Sequence, residues 1–217
     1  MRLAVIFDMD GVILDTEVMC LRCWTEVAGE FGISQIQHLF EQCIGTTHAK
    51  TKEIVSGAMG GERVYEEFER KTNALFHEIE QLEGVPLKKG VRELLEFLKA
   101  QNAKIGLASS TQYSVVSREL EQAGVIHYFQ EFVTGDMVTH SKPDPEIFRK
   151  ACEKLGVEPK EAYAVEDSFN GVRSASDAGL RTIMVPDIIK PDDEMRTRTE
   201  IILNDLIEVK DYFQSRI

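Results

Sequence analysis

The sequence contains no apolar run that approaches the roughly 18 residues needed to cross a lipid bilayer. The apolar run nearest the start of the chain, Leu3 to Phe7, is short, and acidic residues follow it at once. A signal peptide would need a longer apolar region and a cleavage site of small residues. We therefore expect a cytoplasmic protein with no membrane partner.

Positive charge is also scarce. The chain has 25 Lys and Arg residues against 37 Asp and Glu residues, which gives a formal net charge of −12. Proteins that bind nucleic acids normally carry a basic face, so no nucleic-acid partner is expected. A small anionic substrate stays possible where a metal ion and a nearby lysine reverse the local field.

Cysteine is limited to four residues, Cys20, Cys23, Cys43 and Cys152. The first two have the C-x-x-C spacing of zinc and redox motifs, but they lie in a helical pattern and no second pair follows. Buried thiols in a reducing compartment are the expected state, with zinc or redox chemistry as the alternative.

Short apolar runs alternate with helical patterns along most of the chain. Each run is too short for a buried helix and ends at turn or polar residues, as buried strands do. The runs lie at 3–7, 103–108, 131–134, 162–165 and 182–185. Helical periodicity fills the intervals at 91–100, 114–123, 145–155 and 171–178. This order predicts an α/β fold, a Rossmann-like parallel sheet core with helices on both faces.

One long segment interrupts the alternation. Residues 16–84 contain amphipathic helical stretches and no convincing strand. We therefore expect an all-helical domain over 16–84, inserted into a core formed by 1–15 and 85–217. Pro86 marks the return of the chain to the core. The charged segment 186–199 is expected to be a surface loop before a last helix at 205–215.

Polar side chains follow the predicted strands at the points where they end. Ligands of open parallel sheets bind beyond the carboxyl ends of the strands, so these side chains should converge. They are Asp8 and Asp10, then Ser109-Ser110-Thr111, then Ser141-Lys142-Pro143, and finally Glu166-Asp167-Ser168. Clustered carboxylates repel one another unless a cation lies between them. Oxygen ligands alone indicate magnesium rather than zinc.

Each of these groups also has a purely structural interpretation. The two aspartates could form a turn, the segments 109–111 and 166–167 could cap the helices that follow them, and Lys142 could be a solvated loop residue. We favour the joint functional interpretation, because the alternative requires independent coincidences at four successive strand ends.

In this order, the motifs resemble those of the haloacid dehalogenase superfamily of phosphohydrolases, in the branch with a helical cap inserted after the first strand. The resemblance covers nearly the whole core. Its motifs are Asp8-Met9-Asp10-Gly11-Val12, Ser109, the segment 141–148, Glu166-Asp167-Ser168, Gly171-Val172 and Ala178-Gly179.

The resemblance implies a role for each residue. Asp8 would be the nucleophile that forms an aspartyl-phosphate, and Asp10 would protonate the leaving oxygen and then activate water. Mg²⁺ would be held by the carboxylates of Asp8 and Asp167 and by the main-chain carbonyl of Asp10. Glu166 would bind the ion directly or through water. The phosphoryl group would be bound by Ser109, Ser110 and Lys142.

The cap bears on the choice of substrate. The branch resembles β-phosphoglucomutase and sugar-phosphate phosphatases, and the residues expected to face the substrate from the cap are Thr16, Trp24 and His48. Cys20 stands where the mutase pattern has a histidine, and His48 stands about where it has an arginine that binds a second phosphate. Arginine binds phosphate through two parallel hydrogen bonds that histidine does not reproduce. The sequence therefore favours a phosphatase over a mutase.

The predicted function is a Mg²⁺-dependent phosphatase that acts on a small phosphorylated metabolite, a sugar phosphate, as a monomer or weak homodimer. A phosphosugar mutase of the β-phosphoglucomutase type is the enzymatic alternative. Outside enzymes, a receiver-like signalling domain would lack the helical insertion, and a regulatory phosphate-binding protein of the same fold would not need every catalytic position filled.

Overall fold

The computed structural model describes residues 3–43 and 48–216, with only the backbone of residues 48 and 49. The strands are β1 (Ala4–Phe7), β2 (Lys104–Ala108), β3 (Glu131–Val133), β4 (Tyr163–Glu166), β5 (Arg181–Met184) and β6 (Ile201–Ile202). The helices are α1 (Thr16–Ala28), α2 (Ile36–Cys43), α3 (His48–Met59), α4 (Glu62–Glu83), α5 (Val91–Ala100), α6 (Tyr113–Gln122), α7 (Glu146–Leu155), α8 (Phe169–Ala178), α9 (Asp193–Arg198) and α10 (Leu206–Gln214). Short 3-10 turns lie at Gly29–Phe31, Ile126–Tyr128, Gly135–Met137 and Pro159–Glu161.

Internal contacts divide the chain into two compact units, which we call the sheet unit and the helical unit. The sheet unit comprises Met1–Asp15 and Pro86–Ile217, and the helical unit comprises Thr16–Val85. In the part of the chain that the structure describes, no helix is both long and apolar enough to cross a membrane.

The strands of the sheet unit form one parallel sheet in the order β3-β2-β1-β4-β5-β6. The central strand β1 is buried along its whole length and pairs with β2 on one side and β4 on the other. A strand covered on both faces is apolar at every position rather than at alternate ones, which explains the continuous run at 3–7. All five predicted strands are confirmed.

Helices cover both faces of the sheet. On one face, Ile6 lies in an apolar cluster that includes Phe148 of α7 and Ala175 of α8. On the other face, Tyr163 packs edge-on against Phe213 of α10, with ring centroids 5.0 Å apart. Full burial of a side chain the size of Ile or Phe contributes roughly 1.5–3 kcal/mol to the stability of the folded state. The predicted fold class is confirmed.

The helical unit has its own apolar core. Residues of all four helices contribute, and the fully or largely buried ones are Val27, Ala28, Ile36, Leu39, Cys43, Val55, Tyr65 and Phe68. Trp24 packs edge-on against Phe40 and Phe68, with centroid distances of 5.1 and 5.3 Å. Arg22 of α1 forms an ion pair with Glu83 at the end of α4.

The helical unit is inserted at one point of the sheet unit. Leu14 pairs with Leu87 in an antiparallel bridge. The main-chain N–H of Asp15 donates to the carbonyl of Pro86 at 2.8 Å. The outgoing and returning segments of the chain are therefore hydrogen-bonded side by side.

The prediction of a surface loop over 186–199 is wrong in part. Helix α9 lies within this segment, and β6, which follows it at Ile201–Ile202, adds a sixth strand to the sheet. Asp192 caps α9 through the N–H of Met195, whose side chain is fully buried against Val172 and Met184. A six-residue helix with one buried side chain shows no apolar periodicity, so its sequence resembles a charged loop.

Candidate active site

The candidate site lies where the strand connections diverge. From β1 the chain leads to β2 and β3 on one side, whereas from β4 it leads to β5 and β6 on the other. The crevice at such a switch point is where open α/β sheets bind ligands. Asp8 and Asp10 follow β1, and β4 ends at Glu166 with Asp167 directly after it. The predicted convergence of these two strand ends is found in the structure.

Lys142 joins the two strand ends. Its ammonium group donates to Asp8 Oδ1 at 2.5 Å, to Glu166 Oε1 at 2.6 Å and to the carbonyl of Ala108 at 2.9 Å. Only 7% of its side chain is exposed, so the interpretation as a solvated loop lysine is wrong. An ammonium group has three N–H donors, and all three are used here. Lys142 is therefore fixed in place as a buried positive charge.

Burial and charge set the protonation of this pair. Burial raises the pKa of Asp8 from its ordinary 3.8 to about 7; the charge on Lys142 opposes the rise, and the charge on Glu166 adds to it. For Lys142, burial acts to lower the pKa, but the ion pairs with Asp8 and Glu166 outweigh burial and raise it. The metal-free site thus has more negative charge than one lysine can balance.

Glu166 is fully buried, and protein donors occupy both of its carboxylate oxygens. Oε1 accepts from Lys142, while Oε2 accepts from the N–H of Asp167 and from the N–H and hydroxyl of Ser168. The helix α8 is capped by Ser168, whose oxygen accepts from Gly171 N–H. The interpretation of Glu166 and Asp167 as a helix cap is therefore wrong.

Two glycines let the carboxylates approach the backbone. Gly11 has a φ of +80°, and a Cβ at that position would lie 2.3 Å from Asp167 Oδ2. A Cβ on Gly171 would lie 1.9 Å from the carboxyl group of Glu166. Only glycine combines the left-handed conformation with so close a contact at position 11.

The arrangement fits a divalent cation. Asp8, Glu166 and Asp167 each offer a carboxylate oxygen, and these atoms lie within 4.8 Å of one another. The donor set consists of oxygen alone, as Mg²⁺ requires. A cation at this point would also offset the excess negative charge around Lys142. These residues can therefore hold a metal ion.

Asp10 and the segment 109–111 meet at the same end of the sheet. The Thr111 hydroxyl donates to Asp10 Oδ2 at 3.0 Å, and the N–H of Thr111 donates to Ser109 Oγ at 3.1 Å. Ser109 is fully buried, while Ser110 is exposed. Gln112 occupies the N-cap position of α6 without a side-chain hydrogen bond, so the capping interpretation of 109–111 is wrong.

The loop that carries Lys142 is fixed by Glu146. Its carboxylate accepts from the N–H groups of Thr139 and His140 and from the ammonium of Lys150. These bonds, led by the one from Lys150, lower the pKa of Glu146 to about 2. His140, Asp144 and Glu146 form a second group that could hold a metal, but its histidine is exposed, and Lys150 already neutralises Glu146.

The predicted cap residues belong to the helical unit. Thr16 begins α1 and is partly exposed. Trp24 packs in the apolar core of that unit, as the aromatic contacts above show. The side chain of His48 lies outside the described part of the chain. Cys20 and Cys23 are both on α1, and neither they nor Cys43 and Cys152 form a disulfide.

Comparisons with known proteins agree with this geometry. The family described as haloacid dehalogenase-like hydrolases matches residues 5–185. A phosphorylated carbohydrates phosphatase of Thermotoga maritima is 35% identical over 182 residues, which cover 83% of this chain and 83% of that protein. The β-phosphoglucomutase of Bacillus subtilis is 32% identical over 190 residues, 84% of this chain and 82% of the relative. A crystal structure from Thermotoga maritima, provisionally named as a β-phosphoglucomutase, has a TM-score of 0.83 and 28% identity, with 100% of both chains covered. The resemblance that the motifs predict is confirmed.

Proposed function

Because this chain belongs to the haloacid dehalogenase-like hydrolase family, we propose that it is a Mg²⁺-dependent phosphatase of a small phosphorylated metabolite, with Asp8 as the nucleophile. One observation carries the proposal: a buried, fully hydrogen-bonded Lys142 ammonium lies between Asp8 and Glu166. A carboxylate that attacks an anionic phosphoryl group needs a fixed positive charge beside it.

Asp8, Asp167 and the main-chain carbonyl of Asp10 would hold the Mg²⁺ ion. Bound there, the ion would withdraw negative charge from the phosphoryl oxygens and so make phosphorus easier to attack. We assign Glu166 to orienting Lys142, because protein donors contact both of its oxygens, and Glu166 would reach the metal directly or through water.

The reaction would proceed in two displacements. In the first, an Asp8 carboxylate oxygen attacks phosphorus, the bond from phosphorus to the ester oxygen breaks, and Asp10 gives its proton to the leaving oxygen. In the second, Asp10 takes a proton from water as the water oxygen attacks phosphorus. The bond to Asp8 then breaks and releases inorganic phosphate. Both aspartates return to their starting states.

Lys142 would neutralise charge on both Asp8 and the phosphoryl group by its nearness, because its three N–H donors are already bonded to Asp8, Glu166 and the Ala108 carbonyl. Ser109 and the neighbouring residue Ser110 would supply hydrogen bonds to the phosphoryl group. The buried Ser109 hydroxyl already accepts the N–H of Thr111, which leaves its own proton available for donation.

A sugar phosphate is the substrate class that we propose. A relative at 35% identity is named a phosphorylated carbohydrates phosphatase, and one at 32% is named a β-phosphoglucomutase. We favour the phosphatase because Cys20 and His48 depart from the mutase pattern. Residues 16–84 would act as a cap that contributes Thr16, Trp24 and His48 to substrate recognition.

Incubation with β-glucose 1-phosphate and a trace of the bisphosphate distinguishes the two reactions. We expect the protein to release inorganic phosphate from a panel of sugar phosphates. From β-glucose 1-phosphate it should form little glucose 6-phosphate. Formation of glucose 6-phosphate much faster than phosphate release would show that the protein is a mutase.

Stabilisation by Mg²⁺ should depend on pH. The raised pKa of Asp8, about 7 against 3.8, means that the metal-free folded state holds a proton that the unfolded chain releases. The metal-free protein therefore loses stability as pH rises from about 4 to about 7. Mg²⁺ competes with that proton, so its affinity should increase over the same range.

Melting temperatures with EDTA and with excess Mg²⁺ measure this effect. The increase in melting temperature caused by Mg²⁺ should be larger at about pH 8 than at about pH 5. Asp8→Asn should lose this increase. An equal or larger increase at the lower pH would contradict the placement of Asp8 in the metal site.

A further inference from the structure

Thr111 makes a hydrogen bond that the proposed chemistry does not yet use. Its hydroxyl oxygen lies 3.0 Å from Asp10 Oδ2 and donates to it across 101 positions of sequence. A hydroxyl that bonds a carboxylate is a stronger interaction than one between neutral groups, and it fixes the carboxylate's rotation as well as its position.

The backbone of Thr111 is fixed on both sides. Its N–H donates to Ser109 Oγ at 3.1 Å, and its carbonyl accepts from the N–H of Gly135 at 2.9 Å. Ser109 itself is anchored by an N–H bond to the carbonyl of Val133 at 3.1 Å. The hydroxyl of Thr111 is thus presented by a segment tied to β3 and not by a free loop.

The backbone of Asp10 is fixed as well. Asp10 forms a bridge with Leu14, and the N–H of Gly11 donates to the Leu14 carbonyl at 2.9 Å. With both backbones held, the bond between Thr111 and Asp10 restricts the directions in which the Asp10 carboxyl group can face.

We propose that Thr111 is a positioning residue that reserves Asp10 Oδ2 as a hydrogen-bond acceptor, so that the proton for the leaving group is carried on Oδ1. This inference rests on the proposed role of Asp10 as the acid. In the first displacement the Oδ1 proton passes to the leaving oxygen as its bond to phosphorus breaks. The electron pair left on Oδ1 is then shared over a carboxylate to which Thr111 still donates.

If Thr111 positions the acid, its removal should slow substrates with poor leaving groups more than substrates with good ones. A p-nitrophenolate leaves without much help from an acid, whereas phenolate and alkoxide need the proton. Loss of the Thr111 hydroxyl should therefore harm phenyl phosphate more than p-nitrophenyl phosphate. The ratio kcat/KM is the suitable quantity, because it covers steps up to the departure of the leaving group and excludes hydrolysis of the phosphorylated enzyme.

The test compares the wild type with Thr111→Val and Thr111→Ser. For Thr111→Val we expect kcat/KM to fall about tenfold more for phenyl phosphate than for p-nitrophenyl phosphate, part of the roughly 10²- to 10⁴-fold that a positioned acid supplies. Thr111→Ser keeps the hydroxyl, so its kcat/KM for both substrates should stay close to that of the wild type. Melting temperatures of the two variants check that both are folded.

A double variant isolates the coupling. In the Asp10→Asn background, Thr111→Val should not change the ratio of the two substrates any further. An equal loss on both substrates in Thr111→Val, an impaired Thr111→Ser, or a further change of the ratio in the Asp10→Asn background would overturn the inference. A wild-type protein that hydrolyses neither substrate would overturn the proposed function and this inference together.

Discussion

Asp8→Asn should lower kcat/KM for p-nitrophenyl phosphate by about 10⁴-fold or more, the scale of loss when a catalytic nucleophile is removed. An asparagine amide does not attack phosphorus, and neither Asp10 nor Lys142 can form the phosphoenzyme in its place. Initial rates with saturating Mg²⁺, followed by the absorbance of p-nitrophenolate, measure the loss.

The fold of this variant should survive. Burial makes a charge at position 8 unfavourable, as the raised pKa of Asp8 shows, and Asn carries none. Lys142 keeps Glu166 and the Ala108 carbonyl as acceptors. The matched control is Asp211→Asn, the same chemical change at an exposed position of α10, which should leave activity unchanged. Substantial activity in folded Asp8→Asn would contradict the assignment of the nucleophile.

Lys142→Met should cost both stability and activity. It leaves Asp8 and Glu166 as two buried carboxylates without the cation that joins them. Removing one partner of a buried ion pair destabilises by about 3–5 kcal/mol. Loss of the charge beside the phosphoryl group should lower kcat by about 10²- to 10³-fold. Urea denaturation in EDTA and phosphatase assays in Mg²⁺ measure the two losses.

A second substitution separates these effects. Glu166→Gln added to Lys142→Met removes one of the two stranded charges, so it should restore much of the stability without restoring activity. Lys160→Met, at an exposed lysine, is the matched control and should change neither quantity by much. An unchanged free energy of unfolding in Lys142→Met would show that the buried ion pair does not bear on stability.

The main features of the sheet and its site could be predicted because they depend on strong local patterns. The central strand is apolar at every position, and its register brings Phe7 beside Leu107 and Val165. Parallel strands that end together must bring Asp8 and Glu166 to one edge of the sheet. For the same reason the sequence predicts that Lys142 lies near Asp8, but it does not predict the contact of Lys142 with Glu166.

Other features depend on tertiary contacts that leave little trace in the sequence. Helix α9 is stabilised by the burial of Met195 and by ion pairs of Glu194 with Arg173 and Arg198. None of these interactions produces an apolar period. The sixth strand is two residues long, shorter than any pattern that alternation can reveal.

The contacts of Thr111 and Glu166 also depend on tertiary structure and could not be predicted from the sequence. A threonine two residues after Ser109 is an ordinary sequence at a strand end, and only the sheet order shows that it reaches Asp10. Glu166 resembles a metal ligand in the sequence. The structure shows in addition that Oε1 accepts from Lys142 and that Oε2 accepts from Asp167 and Ser168, which precede α8.

The most direct test of the account is to identify the residue that carries phosphate during turnover. The protein is mixed with a slight excess of p-nitrophenyl phosphate and Mg²⁺, quenched in acid within the first turnover, digested and analysed by mass spectrometry. We predict one phosphate on the peptide that contains Asp8, labile to mild alkali as an acyl phosphate and absent from Asp8→Asn. A phosphate on any other residue would contradict the proposed mechanism.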